Sequence, residues 1–418
     1  MEVMTEQKMV PSLRFREFDR EWILLKIKDF VINEKGSMKI GPFGSQLKRD
    51  TFVDSGYKVF GQENIFLNDF IFGDRFISQE HFNRLKTNEI KEGDFVLSTM
   101  GTIGKCSIVP HLDKRGIMDS HMIRLRLSKN IVADFLSQSF SIFAIIKQIK
   151  RLSVGGIMDG LSMGIINELK FYIPAISEQQ KIASFLTAVD EKIQLLTRKH
   201  ELLQSYKKGI MQKIFSQEIR FKDDSGNDYP DWEEKKLSEV LFEHKDKSTG
   251  NEEVYSVSVH KGLINQIEHL GRSFSASNTD NYNLVKPHDI VYTKSPTGDF
   301  PYGIIKQARI SNDVIISPLY GVFTPETPYL GYMLDIYFES KINVHNYLHS
   351  IIQKGAKNTI NITNTTFLSK SLKLPIDKYE QKKIGKLLEI IDTKLESVSQ
   401  QLEHIKTFKK GLLQQMFV

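Results

Sequence analysis

Gly101-Thr102-Ile103-Gly104-Lys105-Cys106 has the residue types of a phosphate cradle, with glycine amides to wrap an anion and a lysine to neutralise it. Its spacing refuses that chemistry. Too few residues separate the glycines, and Cys106 stands where a Ser or Thr would hold Mg²⁺, so the stretch reads as a hairpin turn. Pro230-Asp231-Trp232-Glu233-Glu234-Lys235-Lys236 has the flavour of a nuclease carboxylate motif. Its acids are too close in sequence to come from two neighbouring strands and converge on one metal. The chain has no His-Glu-x-x-His, no Gly-x-Gly-x-x-Gly after a strand and no Gly-x-Ser-x-Gly. Its 11 histidines lack ligand spacing, and His111, His121, His260 and His345 read as surface or hydrogen-bonding residues.

Without an active-site motif, the residues that recur carry the information. Pro174 to Phe215 reappears as Pro375 to Phe417, opening on Pro-x-x-x-Glu-Gln-Gln-Lys-Ile in one copy and Pro-x-x-x-x-Glu-Gln-Lys-Lys-Ile in the other. The register then pairs Leu186 with Leu388, Asp190 with Asp392, Glu201 with Glu403, and Lys207-Lys208-Gly209 with Lys409-Lys410-Gly411. Apolar residues in each copy follow helical steps of three and four. One seam is Ile182, Phe185, Val189, Ile193, Leu196, Leu203, Ile210 and Ile214. The other is Ile384, Leu387, Ile391, Leu395, Val398, Leu402, Ile405 and Leu412, with Met416 beyond it. A run of about 38 residues makes a helix of roughly 57 Å, longer than a compact domain needs. Glu178 and Glu380 place negative charge in the first turns. Antiparallel pairing of the two helices gives the chain an approximate twofold axis without a long return linker.

The segments ahead of the helices match at their edges: Arg14-Phe15, Trp22 and Lys26-Ile27 answer to Arg220-Phe221, Trp232 and Lys236-Leu237. Between those anchors they diverge, apart from an echo of Gly93-Asp94-Phe95-Val96-Leu97 in His288-Asp289-Ile290-Val291-Tyr292, a turn feeding a strand. The expected fold is α+β, two globular α/β domains and two long helices in an antiparallel coiled coil. Its segments are a first domain over 1–173, a helix over 174–217, a second domain over 218–374 and a second helix over 375–418.

Composition suits that plan. The 418 residues are 40% hydrophobic and 26% charged, enough for two cores. No apolar run approaches the 18 or so residues of a membrane span, and Met1 to Val10 lack a signal-peptide apolar region. The single cysteine, Cys106, excludes an internal disulfide, fits a cytoplasmic location and is expected in a buried strand. A net charge of +6 is mildly basic and leaves the partner open.

The repeated helix ending in Lys-Lys-Gly-x-x-Gln-x-x-Phe, the Tyr229-Pro230-x-Trp232 entrance and the alternation with variable domains resemble the specificity subunit of type I restriction-modification enzymes. Gly41-Pro42-Phe43-Gly44-Ser45, followed by Ser98-Thr99-x-Gly101-Thr102-Ile103-Gly104, is similar to segments of that family's target-recognition domains. Lys294-Ser295-Pro296-Thr297-Gly298 answers this turn only loosely. The resemblance implies a non-catalytic subunit that binds no cofactor itself. Each variable domain would read one half of an asymmetric bipartite site in double-stranded DNA, and the helices would act as spacer. Two modification subunits would bring S-adenosylmethionine and methylate adenine, and restriction subunits would bring ATP and Mg²⁺.

Candidate DNA contacts in the first domain are Gly41, Phe43, Ser45, Gln46, Lys48 and Arg49 in a glycine-rich loop, Gln62 and Asn64 for adenine edges, and Ser98, Thr99, Thr102 and Lys105 on a tight turn. In the second domain they are Lys261, Lys294, Ser295, Lys354, Lys357, Asn358 and Asn361. A self-contained methyltransferase or nuclease is opposed by the missing motifs. A coiled-coil adaptor joining two protein-binding domains shares the repeat and differs in lacking salt-sensitive DNA binding.

Overall fold

The computed structural model describes residues 9–101, 104–153, 161–270, 279–298, 300–354 and 360–418. They form two compact units, Met1–Arg198 with Gln400–Val418, and Lys199–Ser399. The division passes within both long helices, Ile176–Phe215 and Lys378–Gln415, so each helix contributes to both units.

In the first unit the helices run antiparallel. Lys409 pairs with Asp190, while Leu412, Met416 and Phe417 join the core that holds Ile182, Leu186 and Val189, with Ile193 and Ile405 against it. In the second unit Lys207 pairs with Asp392, and Ile214 packs with Ile384 and Leu388. Leu186 and Leu388, repeat mates outside the seam read from the sequence, are both 0% exposed and central to their cores. Ile182, Val189, Leu196, Ile214, Ile384, Ile391, Val398 and Leu412 are buried. Ile193, Leu203, Ile210, Leu387, Leu395, Leu402 and Ile405 are half-buried. Phe185 lies at the seam's margin, exposed, its ring edge-on to Phe15 at 5.9 Å.

Both units use one scaffold. A short strand entering the domain pairs antiparallel with the strand that leads into the long helix: Ile23–Lys26 with Lys170–Ile173, and Glu233–Lys236 with Ser371–Leu374. Each unit then has a four-stranded sheet of matching order. In the first it runs Met38–Ile40, Met122–Leu125, Phe95–Ser98, Cys106–Ile108. In the second it runs Leu241–Glu243, Gly321–Pro325, Ile290–Tyr292, Ile305–Gln307.

The faint sequence echo marks the turn before the third of these strands. Gly93 and His288 both take positive φ, 83° and 73°, and the next residue's carboxylate caps the turn: Lys91 N donates to Asp94 at 2.9 Å and Lys286 N to Asp289 at 2.8 Å. A histidine tolerates that left-handed conformation less readily than glycine, which hides the equivalence in the sequence. Elsewhere the units differ. The first adds a five-stranded sheet built around Tyr57–Phe60 and Gly116–Met118, where the second has the hairpin Tyr255–Ser258/Gly262–Asn265 and the pair Asn283–Val285/Val314–Ile316.

Cys106 begins the strand predicted for it and is half-buried. Burial pushes its thiol up to about 11, against the Ser137 hydroxyl 3.5 Å away. Among the described residues no helix is long and apolar enough to cross a membrane.

Candidate nucleic-acid interface

In the first unit, register brings the candidate loops together. Ile40 and Leu97 both pair with Ile123, and Met122 pairs with Ser98, so the loop after Ile40 and the turn after Ser98 leave the same end of the sheet. Gly41 N donates to the Met122 carbonyl at 2.9 Å. A Cβ at Gly41 would lie 1.7 Å from the Asp119 carbonyl oxygen, so glycine is required for this close approach. Past that anchor, Phe43 is 82% exposed, and Ser45, Gln46, Lys48 and Arg49 are also exposed on two short 3₁₀ turns. His81 Nε2 holds the loop at 2.8 Å from the Gln46 carbonyl.

The second cluster is mostly framework. Ser98 Oγ lies 2.6 Å from the Met100 carbonyl and 3.2 Å from Gln62 Oε1. Thr99 is buried; its N–H donates to His121 at 2.9 Å and its carbonyl accepts from Leu161 at 2.7 Å. The turn is a hairpin, as its glycines imply: Phe95–Ser98 pairs with Cys106–Ile108, and Gly101 and Gly104 have φ of 81° and 78°. Lys105 is exposed at its end. Thr102 lies outside the described residues.

Asn64 does not present its amide to a ligand. It is 3% exposed, accepts from Gly61 N at 2.9 Å, and donates to the Asp69 and Phe72 carbonyls at 2.8 and 2.9 Å. Its side chain is consumed in shaping the helix start and the following loop. Gln62 is half-buried beside it and contacts Ser98.

In the second unit, Lys294 follows the sheet strand Ile290–Tyr292 with φ of 53°, and its half-buried position lowers its pKa, with Glu243 acting in the opposite sense. Ser295 Oγ donates to the Thr293 carbonyl at 3.2 Å, and Thr297 and Phe300 exchange backbone bonds of 3.0 and 2.7 Å. A short hairpin therefore stands where the first unit has its Gly101–Gly104 turn. Lys261 is exposed at the tip of a separate hairpin, its N–H 3.4 Å from Ser258 Oγ. Lys354 and Asn361 belong to paired strands, while Lys357 and Asn358 lie outside the described residues. The nuclease-like acids are dispersed: Asp231 pairs with Arg220 at 2.8 Å and Glu233 with Lys235 at 3.0 Å. Among the described residues no group of acids, histidines and cysteine could hold a metal.

The repeated polar signature is buried, which a first-turn charge does not anticipate. Glu178 is 2% exposed and accepts from Arg14 Nε and Nη2, each at 2.7 Å; Glu380 is 1% exposed and accepts from Trp232 Nε1 at 3.1 Å, with Arg220 at 3.8 Å. Gln179 and Gln381 each donate to the proline carbonyl ahead of their helix at 2.9 Å. Gln179 also accepts from Val132 N at 2.9 Å, and Gln381 from the Thr327 hydroxyl at 2.5 Å. These groups fasten each helix start to its domain. Their pairing with Arg14 and Arg220 was readable in the repeat, since both edges of the duplication carry them.

Residues 21–205 match the model of the type I restriction modification DNA specificity domain. The chain is 26% identical over 323 residues to the type I restriction enzyme MjaVIII specificity subunit of Methanocaldococcus jannaschii, covering 72% of this chain and 73% of that one. It is 21% identical over 321 residues to the MjaIX specificity subunit of the same organism, covering 71% of each. Its fold is similar to the S subunit of a type I restriction-modification system from M. genitalium, with a TM-score of 0.60 at 14% identity, covering 98% of this chain and 99% of that one. The chain is thus similar, in part of its sequence and in its fold, to type I restriction-modification specificity subunits.

Proposed function

We infer that this chain is the DNA sequence-recognition subunit of a type I restriction-modification complex, with its two domains reading unlike halves of one bipartite site. The observation that carries this reading is one scaffold bearing two surfaces. The sheet order and the Asp94 and Asp289 turns are shared, while the first unit adds a five-stranded sheet where the second has separate two-stranded pairs. A duplex offers local dyads along its backbone, and two unlike half-sites require unlike base contacts on a common frame. Lys48, Arg49 and Lys105 in one unit and Lys261 in the other are exposed cations suited to phosphate, with Ser45, Gln46 and Gln62 within the first cluster as base-edge candidates.

Chemistry belongs to partners. Two modification subunits would supply S-adenosylmethionine-dependent adenine methylation, and restriction subunits ATP-dependent cleavage. The duplication supports two copies of one partner: repeat mates Tyr206 and Phe408 are 54% and 51% exposed, and each is followed within two residues by an exposed lysine, Lys208 or Lys410. The paired helices serve as the spacer between half-sites.

The test is to express the chain with its modification subunit and map methylated adenines across the host genome. A bipartite motif that disappears when this chain is deleted supports the reading. Methylation independent of the chain, or no salt-dependent binding of the assembly to duplex DNA, would favour a protein-joining adaptor instead.

A further inference from the structure

Six side chains of the second unit close a ring of alternating charge. Lys306 Nζ lies 3.0 Å from Asp335 and 3.1 Å from Glu339; Lys207 Nζ lies 3.0 Å from Glu339 and 2.8 Å from Asp392; Arg309 lies 3.3 Å from Asp392 and 3.2 Å from Asp335. Every member has two partners of opposite sign. Lys207 and Asp392 come from the two long helices, Asp335 and Glu339 from the helix Pro328–Phe338 and its end, and Lys306 from the sheet strand Ile305–Gln307. The Tyr332 hydroxyl adds a 2.5 Å bond to Asp392, and Arg309 lies over the Tyr332 ring at 4.2 Å. The equivalent place in the first unit holds the Asp190–Lys409 pair, with Gln138 Nε2 donating to Asp190 at 2.8 Å.

The ring adjoins candidate reading residues of the same unit. Lys306's strand pairs with Ile290–Tyr292, which feeds the Lys294–Ser295 turn. Ring members also line a cavity of about 660 Å³ that His260, Lys261 and Gly262 of the hairpin tip line as well. Asp335 and Lys306 are 1% and 7% exposed, so neither shifts freely. A closed circuit of bonds anchored on these two buried groups resists rotation of the sheet against the helix pair, whereas a single pair acts as a pivot.

We propose that this ring is a positioning device for DNA recognition by the second unit, and that Arg309 closes it. The proposal rests on the recognition role inferred above. It gives the two readers unequal dependence on ionic contacts: the second half-site is read through a closed ionic ring and the first through a frame with a single ion pair at the equivalent place.

The test uses the chain assembled with its modification subunits. Arg309→Met opens the ring while leaving each carboxylate a cation, since Lys306 keeps Asp335 and Glu339, and Lys207 keeps Asp392. Binding is measured to the wild-type duplex and to duplexes with single base changes in each half; exchange of residues 30 to 150 identifies the first half. Discrimination in the second half should fall about tenfold, with the first half and the melting transition unchanged, and Arg309→Lys should restore it. Glu339→Gln opens the ring elsewhere, leaves both lysines an acid, and should give the same selective loss. It decides the matter if Arg309→Met melts early. Wild-type discrimination in the folded variants, or equal loss in both halves, overturns the proposal. An unmutated assembly that discriminates no duplex would instead overturn the recognition role itself.

Discussion

Lys409 Nζ lies 2.6 Å from Asp190 Oδ1, and the residues that repeat them, Lys207 and Asp392, make their own pair at 2.8 Å. Each pair joins the far part of one long helix to the near part of the other, inside one unit. The same two residue types therefore meet at equivalent places in both copies of the repeat. With Asp190 and Lys409 only partly buried, their coupling is expected to be about 1 kcal/mol. Asp190→Lys should lower the melting transition and the double change with Lys409→Asp should recover part of it; additive losses in a double-mutant cycle would show that the pair contributes nothing.

Glu178 and Arg14 meet through two bonds of 2.7 Å with both groups largely shielded from water. Glu178→Ala leaves the guanidinium buried without its acid and is expected to cost about 3–5 kcal/mol, read as a shift of the denaturant midpoint. Glu380→Gln should cost less, because its amide oxygen can still accept from Trp232 and burial already raises the acid's pKa. Equal losses for the two changes would contradict this asymmetry.

His244 Nε2 lies 2.8 Å from Asp289, whose other oxygen accepts from Thr324 at 2.8 Å; Asp246, paired with Lys286 at 2.6 Å, lies 3.7 Å from Nδ1. The hydrogen bond to Asp289 raises the histidine's pKa above its ordinary value, despite opposition from burial. A raised folded-state pKa means the contribution is complete below the unfolded value, about 6.5, and is lost as pH rises through the folded one. In the first unit the matching Asp94 is served by Arg126 at 3.2 Å, a cation that does not titrate in this range. Stability of the second unit should therefore decline from mildly acidic to mildly alkaline pH, and His244→Gln should flatten that slope. An unchanged slope would exclude this pair as its source.

The proposed independence of the two readers predicts the outcome of exchanging residues 30 to 150 for the matching segment of a relative. One half of the methylated motif should change and the other remain. Changes in both halves, seen by methylome sequencing, would contradict separate recognition.

What the sequence made legible follows from where evolution kept two copies. Ile182 and Ile384 reveal their helices because a long amphipathic repeat is local, periodic and doubled. The shared sheet was nearly hidden, since short buried strands such as Ile290–Tyr292 need only apolar residues, and His288 masks a turn that Gly93 makes plain. Asn64 looked like a base-reading amide because residue type does not disclose that three backbone groups consume it. Of the charge ring only Lys207 and Asp392 left a signal, as repeated residues; Lys306, Arg309, Asp335 and Glu339 lie in the diverged domain and left none.

The spacer role calls for a change that leaves both units intact. Gln217 is unsuitable: its φ is 62°, its N–H donates to Ile214 at 3.0 Å, and the neighbouring Phe215 ring stands edge-on to Trp232 at 6.2 Å, so an insertion there disturbs the second core. The division between units falls instead between Arg198 and Lys199 and between Ser399 and Gln400. Inserting one heptad in each helix at these points adds about 10 Å of paired helix and turns the seam by only about 20°. If the helices set the gap, the two halves of the methylated motif should keep their bases and move apart by at most about three base pairs. Seven residues in one helix alone should abolish methylation, because the partner helix no longer matches its length. An unchanged gap in the doubly extended protein, with methylation intact, would assign the spacing to the domains and remove the helices from that role.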